Sequence, residues 1–386
     1  MRLTKYSETE SIISMTTKLT RREWLAGTTA ASSFLLSGAT ASAQSFMEPN
    51  VNPTAENPIR AHLNENVYGQ SLKARKAIID AADDSHKYAF RDIFALQALM
   101  AKLEDIPKEY VSIGAGSTEF LEKAAVFNAV AGGDILLPVP TYGDIGRFSR
   151  TLGTKLIEVP VGDDMHINLD AMRAAMTDNT KLIYLCNPNN PIPSIIEKNA
   201  LKEFCNEMSE RATILIDEAY YEYVDNPDYE SMISLVKENK NIVVTRTASK
   251  IHAFAGMRIG VCYAHPDFIK KSFGLFTNTL NLPAMRGAYA SYQDFEYQDF
   301  LRKKNKQSQK IITAMLDDLG LEYVKSNANF IFFNAGRPST EVAEAMKKHH
   351  ILTGRPFPPF TNWVRISLSK PEEMKYFTEK YRSEFG

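Results

Sequence analysis

The sequence predicts an α/β fold: a large domain with a mostly parallel sheet sandwiched by helices, plus a smaller α+β domain. Three observations predict it. From about Pro107 short β-rich runs alternate with helix-like segments, as in strand–helix–strand units. Most of those runs are apolar throughout rather than alternating, as strands covered on both faces require. After Pro283 the alternation gives way to long, charged helical stretches separated by short apolar runs.

The strand candidates, in order, are EYVSIG (Glu109–Gly114), DILLPV (Asp134–Val139), TKLIEVPV (Thr154–Val161), KLIYLCN (Lys181–Asn187), TILIDE (Thr213–Glu218), NIVVTRT (Asn241–Thr247) and MRIGVCYA (Met257–Ala264). Amphipathic stretches such as STEFLEKAAVFNAV and KNALKEFCNEMSE lie between them. The later region offers a helix over Tyr297–Gly320, the run NFIFF, a helix around TEVAEAMKKHH, and WVRISL. The expected division is 44–75 as an N-terminal segment joining the small domain, 76–280 as the large domain and 281–386 as the small one.

With 386 residues, 44% of them apolar, the chain can bury a sizeable core. Its formal charge of −1 comes from interspersed acids and bases, which excludes a basic nucleic-acid footprint. Three cysteines, Cys186, Cys205 and Cys262, have no metal-ligand spacing. They read as small buried hydrophobes rather than a disulfide framework.

Residues 1–43 read as an export signal. Arg21 and Arg22 precede the uncharged segment Trp24–Ala43, which is rich in Ala, Ser, Thr and Gly and ends in ASA before Gln44. A charged start, a weakly apolar middle and a small-residue cleavage site are the parts of such a signal. The arginine pair points to the twin-arginine route and to a periplasmic or secreted protein; an ordinary basic helix start and an uncleaved membrane anchor are the alternatives.

In open α/β sheets ligands gather beyond the carboxyl ends of the strands, and several exits carry unusual residues. SIGAGSTEF puts Gly114, Gly116, Ser117 and Thr118 between strand and helix, where hydroxyls and helix-start amides can hold an anion or merely cap the helix. LPVPTYGD ends on the aromatic Tyr142, and YLCNPNNPIPS on Asn187, Asn189 and Asn190 among prolines. ILIDEAY brings Asp217 out of an apolar strand, which is costly without a partner. No histidine has metal-ligand spacing to it, leaving an arginine or the protonated nitrogen of a heterocycle. In TRTASKIHAFAGMRIG, Lys250 follows a strand, with Thr247 and Ser249 beside it and Arg258 eight residues on. Such a lysine is either a surface charge or, desolvated, a nucleophile suited to Schiff bases.

Together, CNPNNP, DEAYYEY, TASKIHAFAGMRIG and SNANFIFF resemble the fold-type I pyridoxal-phosphate enzymes, specifically class I/II aminotransferases of the histidinol-phosphate aminotransferase group. The resemblance runs from HLNENVYGQS to WVRISLS. It implies a fold-type I architecture, pyridoxal 5'-phosphate as cofactor, and transfer of an amino group from an L-amino acid to a 2-oxo acid. It implies Lys250 as the cofactor-bearing lysine and base, Asp217 as partner of the ring nitrogen, and Tyr220 and Asn190 on the phenolic oxygen. Tyr142 would stack on the ring, with Ser117, Thr118, Thr247 and Arg258 cradling the phosphate. On the substrate side it implies Arg365 for the α-carboxylate, with Asn66 and Arg355 also in contact. Tyr88 would reach the phosphate of a second subunit, hence a homodimer with shared sites.

The chain departs from the pattern on the substrate side: Val67 for proline, Ile192-Pro193 for Thr-Gly, and His252 for an aromatic. These leave the substrate's side chain open. An exported enzyme would also be separated from the cytoplasmic histidine pathway. The same fold hosts decarboxylases, lyases and oxygen-using deaminases, and a cofactor-binding module without turnover is a further alternative.

Overall fold

The computed structural model describes residues 51–238, 241–273 and 280–386. The export signal expected over residues 1–43 lies outside the described residues.

Seven strands form the main sheet: β2 (Val111–Gly114), β3 (Asp134–Val139), β4 (Leu156–Pro160), β5 (Thr180–Cys186), β6 (Thr213–Asp217), β7 (Ile242–Thr247) and β8 (Gly260–Ala264), in the spatial order β2-β8-β7-β6-β5-β3-β4. Pairs along β4-β3-β5-β6-β7 are parallel, and β8 is antiparallel to both neighbours. The continuous apolar runs have a physical counterpart. Ile214 and Ile216 pack on one face of the sheet and Leu215 on the other, all fully buried, because successive side chains alternate. The three cysteines are buried and free.

Four strands start later than the sequence suggests, two of them for a visible reason. A 3-10 turn occupies Lys108–Tyr110 before β2. β8 begins only at Gly260, because Arg258 has φ +58 and cannot continue an extended run.

A second core lies around β10 (Phe330–Asn334), which pairs antiparallel with β9 (Tyr323–Val324) and β12 (Trp363–Ser367). The early strand β1 (Ile59–Ala61) pairs parallel with β11 (Ile351–Thr353), placing Ile59 and Ala61 in this core. Alternation along β10 sends Ile331 and Phe333 into that core. Phe330 and Phe332 instead join two small clusters, with Tyr220 and with Phe357 respectively. The helix Leu282–Tyr292 packs with the main sheet's core, through Ala284, Met285 and Ala288 beside Ala74 and Ala81.

Candidate active site

The carboxyl ends of the parallel strands open into a cleft of about 510 Å³ lined by residues of five strand exits. Ser117 and Thr118 come from the turn after β2, Tyr142 from the exit of β3 and Asn190 from that of β5. Asp217 ends β6, Thr247 ends β7 and Lys250 follows it. Arg258, Tyr220, Arg355 and Arg365 complete the lining. The structure thus brings together all but two of the expected site residues.

Asp217 is 1% exposed. Among the described residues it receives only two long hydrogen bonds, from Thr245 Oγ1 at 3.2 Å and Tyr184 Oη at 3.4 Å, and forms no ion pair. Burial pushes its carboxyl up to about 7, against those two donors and the Lys250 charge. Its neighbour Glu218 is satisfied: it accepts from Arg246 Nε at 3.0 Å, Ser231 Oγ at 2.7 Å and the Met232 amide at 3.0 Å. Arg246 in turn lies 3.5 Å from the centre of the Tyr221 ring. Of two adjacent buried acids, one is structural and the other awaits a cation.

Lys250 is half-buried at the start of the turn Lys250–Ala253, which is closed by the Ala253 amide on the Lys250 carbonyl at 3.0 Å. The carbonyls of this turn are clamped by Asn66 Nδ2 on Ile251 O at 2.7 Å and Gln70 Nε2 on Ala253 O at 2.8 Å. Burial, and then the Arg365 charge, lower the Lys250 amine to about 8. Far more of it is therefore uncharged near neutral pH than of a surface lysine, although the ammonium form still dominates there.

An anion cradle stands beside it. Arg258 donates to Ser249 Oγ at 3.1 Å and to the carbonyls of Ala255 and Ala115 at 3.0 and 3.2 Å. Its guanidinium passes so close to Gly116 (φ +80) that a Cβ there would sit 2.1 Å from Nη2. A Cβ at Gly260 would sit 2.2 Å from the Gly116 carbonyl carbon. Only glycine fits at either position, and the helix Ser117–Val130 starts there with its free amides.

Across the cleft, Tyr220 Oη accepts from Asn64 Nδ2 at 3.0 Å and Asn190 Nδ2 at 3.3 Å. Burial raises its pKa, so the phenol keeps its proton, and with both acceptor positions taken that proton is free to be donated. Arg365, 8% exposed, donates from Nη1 to Asn190 Oδ1 at 2.7 Å and from Nη2 to the His62 carbonyl. Its Nε is a buried donor with no partner, which suits the arrival of a carboxylate.

Asn66 does not line this cleft: its amide is committed to the lysine turn. The asparagine that does is Asn64, in the left-handed region at φ +55 and held by Ser367 through both its amide N (2.7 Å) and its Oδ1 (2.9 Å). Tyr88 is also outside, 79% exposed and stacked on Phe90. Sequence reasoning missed Asn64, Ser249 and Asp144, which accepts from Tyr142 Oη. Arg355 lies 4.7 Å from the centre of Phe357's ring at the cleft wall. Ile192 is fully buried against Phe332, Phe357 and Trp363, so the departure from Thr-Gly supports an apolar wall. His252 turns away from the cleft, its Nδ1 2.9 Å from Ser291 Oγ.

These features fit pyridoxal phosphate: an anion cradle, a lysine amine of lowered pKa and a buried acid lacking its cation. Residues 60–380 match the family Aminotransferase class I and II, and the chain belongs to that family. It is a pyridoxal-phosphate-dependent aminotransferase of mixed α/β fold. It is 30% identical over 84% of its length, and 92% of the relative's, to an aromatic amino acid aminotransferase of Mycobacteroides abscessus. It is 31% identical over 81% of its length, and 85% of the relative's, to histidinol-phosphate aminotransferase 2 of Hydrogenovibrio crunogenus. Among solved structures, histidinol-phosphate aminotransferase of Sinorhizobium meliloti in complex with pyridoxal-5'-phosphate superposes with a TM-score of 0.78 at 25% identity, covering 90% of this chain and 99% of that one.

Proposed function

We propose that the cleft residues divide the work of amino transfer from an L-amino acid to a 2-oxo acid as follows, and that the exported chain acts as a homodimer. The observation that carries the division of labour is the shared cleft of Lys250, the unpaired Asp217 and the half-satisfied Arg365. Bound there, pyridoxal phosphate supplies an electron sink for charge developing at the substrate's Cα.

Arg258, Ser249, Thr247, Ser117, Thr118 and the helix-start amides hold its phosphate. Asp217 would partner the ring nitrogen and favour its protonated form. Tyr142 would cover the ring, and Tyr220 could donate its free proton to the phenolic oxygen. Arg365 grips the substrate α-carboxylate through Nε and so orients the Cα–H bond. Lys250 would hold the cofactor, and its Nζ, when uncharged, could take a proton from Cα and give it back. Borohydride reduction of the loaded protein followed by peptide mass mapping tests this assignment. The cofactor mass is expected on Lys250 and is lost in Lys250→Ala.

Two features support the homodimer with shared sites. Tyr88 is left exposed, and Leu72, Ile79, Phe90 and Phe94 are exposed apolar residues that water does not favour. We read Tyr88 as reaching the second copy's phosphate cradle; light scattering of the purified protein and a Tyr88→Phe loss of cofactor retention test this. The Arg21-Arg22 pair and the ASA sequence support twin-arginine export of a folded, cofactor-loaded enzyme to the periplasm or beyond. Retention in the cytoplasm on changing both arginines to lysine tests that route.

A further inference from the structure

Tyr142 is not free to turn at the cleft edge. Its hydroxyl donates to Asp144 Oδ2 at 2.6 Å, the length of a strong bond to an ionised acceptor. Asp144 opens the helix Asp144–Thr151, where a carboxylate is favoured. Its other oxygen pairs with Arg147 Nη2 at 3.3 Å. Thr118, itself beside the phosphate cradle, lines the cleft with the phenol. Burial and Asp144 both raise the Tyr142 pKa, so the bond stays in its donor–acceptor form across the physiological range.

Without a partner for its hydroxyl, the Tyr142 side chain could swing about χ1 to other staggered rotamers. The hydroxyl tether removes that freedom, and it does so from a residue that itself lines the cleft. We propose that Asp144 is a positioning residue of the reaction: it holds the Tyr142 side chain in the rotamer that keeps its ring at the cleft, and through it the seat of the cofactor. This rests on the functional reading above, with Tyr142 as the covering ring.

The test uses the cofactor-loaded full chain and four variants: Asp144→Ala, Asp144→Asn, Tyr142→Phe and the Asp144→Ala/Tyr142→Phe pair. Three quantities are read: kcat, visible circular dichroism of the bound cofactor, and thermal melting. A misplaced reacting group costs rate steeply, so Asp144→Ala and Tyr142→Phe are each expected to lower kcat about tenfold. Both should weaken the dichroic band. The double variant should be no worse than either single one, because both remove the same bond. Asp144→Asn keeps an acceptor and should restore kcat and the band to within about threefold.

Losses that multiply in the double variant would overturn the proposal, and so would an Asparagine variant as poor as the alanine one or an unchanged Asp144→Ala. A variant that melts early while its band stays normal would assign Asp144 to stability alone and also overturn it. A wild-type protein that never acquires a cofactor band would overturn the functional reading together with this one. A normal wild type with unaffected variants overturns only this inference.

Discussion

Asp217 and Glu218 follow one another at the end of β6 and are equally buried, yet only Glu218 has a cation. The difference is a matter of facing. Alternation points Glu218 back to Arg246 between β6 and its neighbours, whereas Asp217 points into the cleft. A folded protein tolerates an unpaired buried acid where function needs it.

Asp217→Asn is expected to stabilise the cofactor-free protein while removing activity. The folded pKa of about 7 lies above the ordinary carboxyl value of 3.8. For this group, stability is therefore fully present below the unfolded pKa and is lost as pH rises through about 7. The asparagine variant should match wild type at pH 4, gain between pH 4 and 7, and hold a lead of a few kcal/mol above that. Melting curves across pH check this, and a fall of at least about a hundredfold in kcat should accompany it.

Lys250 should titrate unlike any surface lysine. In cofactor-free protein its reaction with an amine-selective reagent should reach half its limit near pH 8. Removing the Arg365 charge should raise that midpoint, because a nearby cation disfavours the ammonium form, and Asp217→Asn should lower it.

How much of this was legible in the sequence depended on where each residue sits. Lys250, Asp217, Tyr220 and Arg258 stand at or soon after strand exits, where an apolar run names its own end. Asn64 and Asn66 are two residues apart in LNEN, and composition does not say which faces the cleft. The left-handed backbone at Asn64 and the claim of Ile251 O on Asn66 decide it. Asp144 carried no signal of its own in the sequence; its bond to Tyr142 depends on a turn whose shape no pattern reveals. Likewise Leu282–Tyr292 lies beyond the expected boundary at 280, and only packing assigns it to the main core.

Arg365→Lys is expected to lower kcat/KM for α-amino acids about a hundredfold, mostly through KM. A lysine cannot reproduce a guanidinium that holds Asn190 and His62 O while offering a third donor. Substrate-concentration series with an amino acid and with its decarboxylated amine check this; the amine should be indifferent to the change.

Arg246→Met is expected to destabilise the protein by about 3–5 kcal/mol, because Glu218 and Glu104 would lose their shared cation. Denaturant titration reads the loss. The cofactor's absorbance in the folded fraction should stay normal, since Arg246 does not line the cleft.

The most direct test of the central claim is the spectrum of the loaded enzyme mixed with single L-amino acids, without any 2-oxo acid, under air and under nitrogen. Amino transfer predicts that the visible band converts once, identically in both atmospheres, and returns only when a 2-oxo acid is added. A band that recovers unaided, with oxygen consumed or carbon dioxide released, would contradict it and assign Lys250 and Asp217 to a different reaction on the same fold.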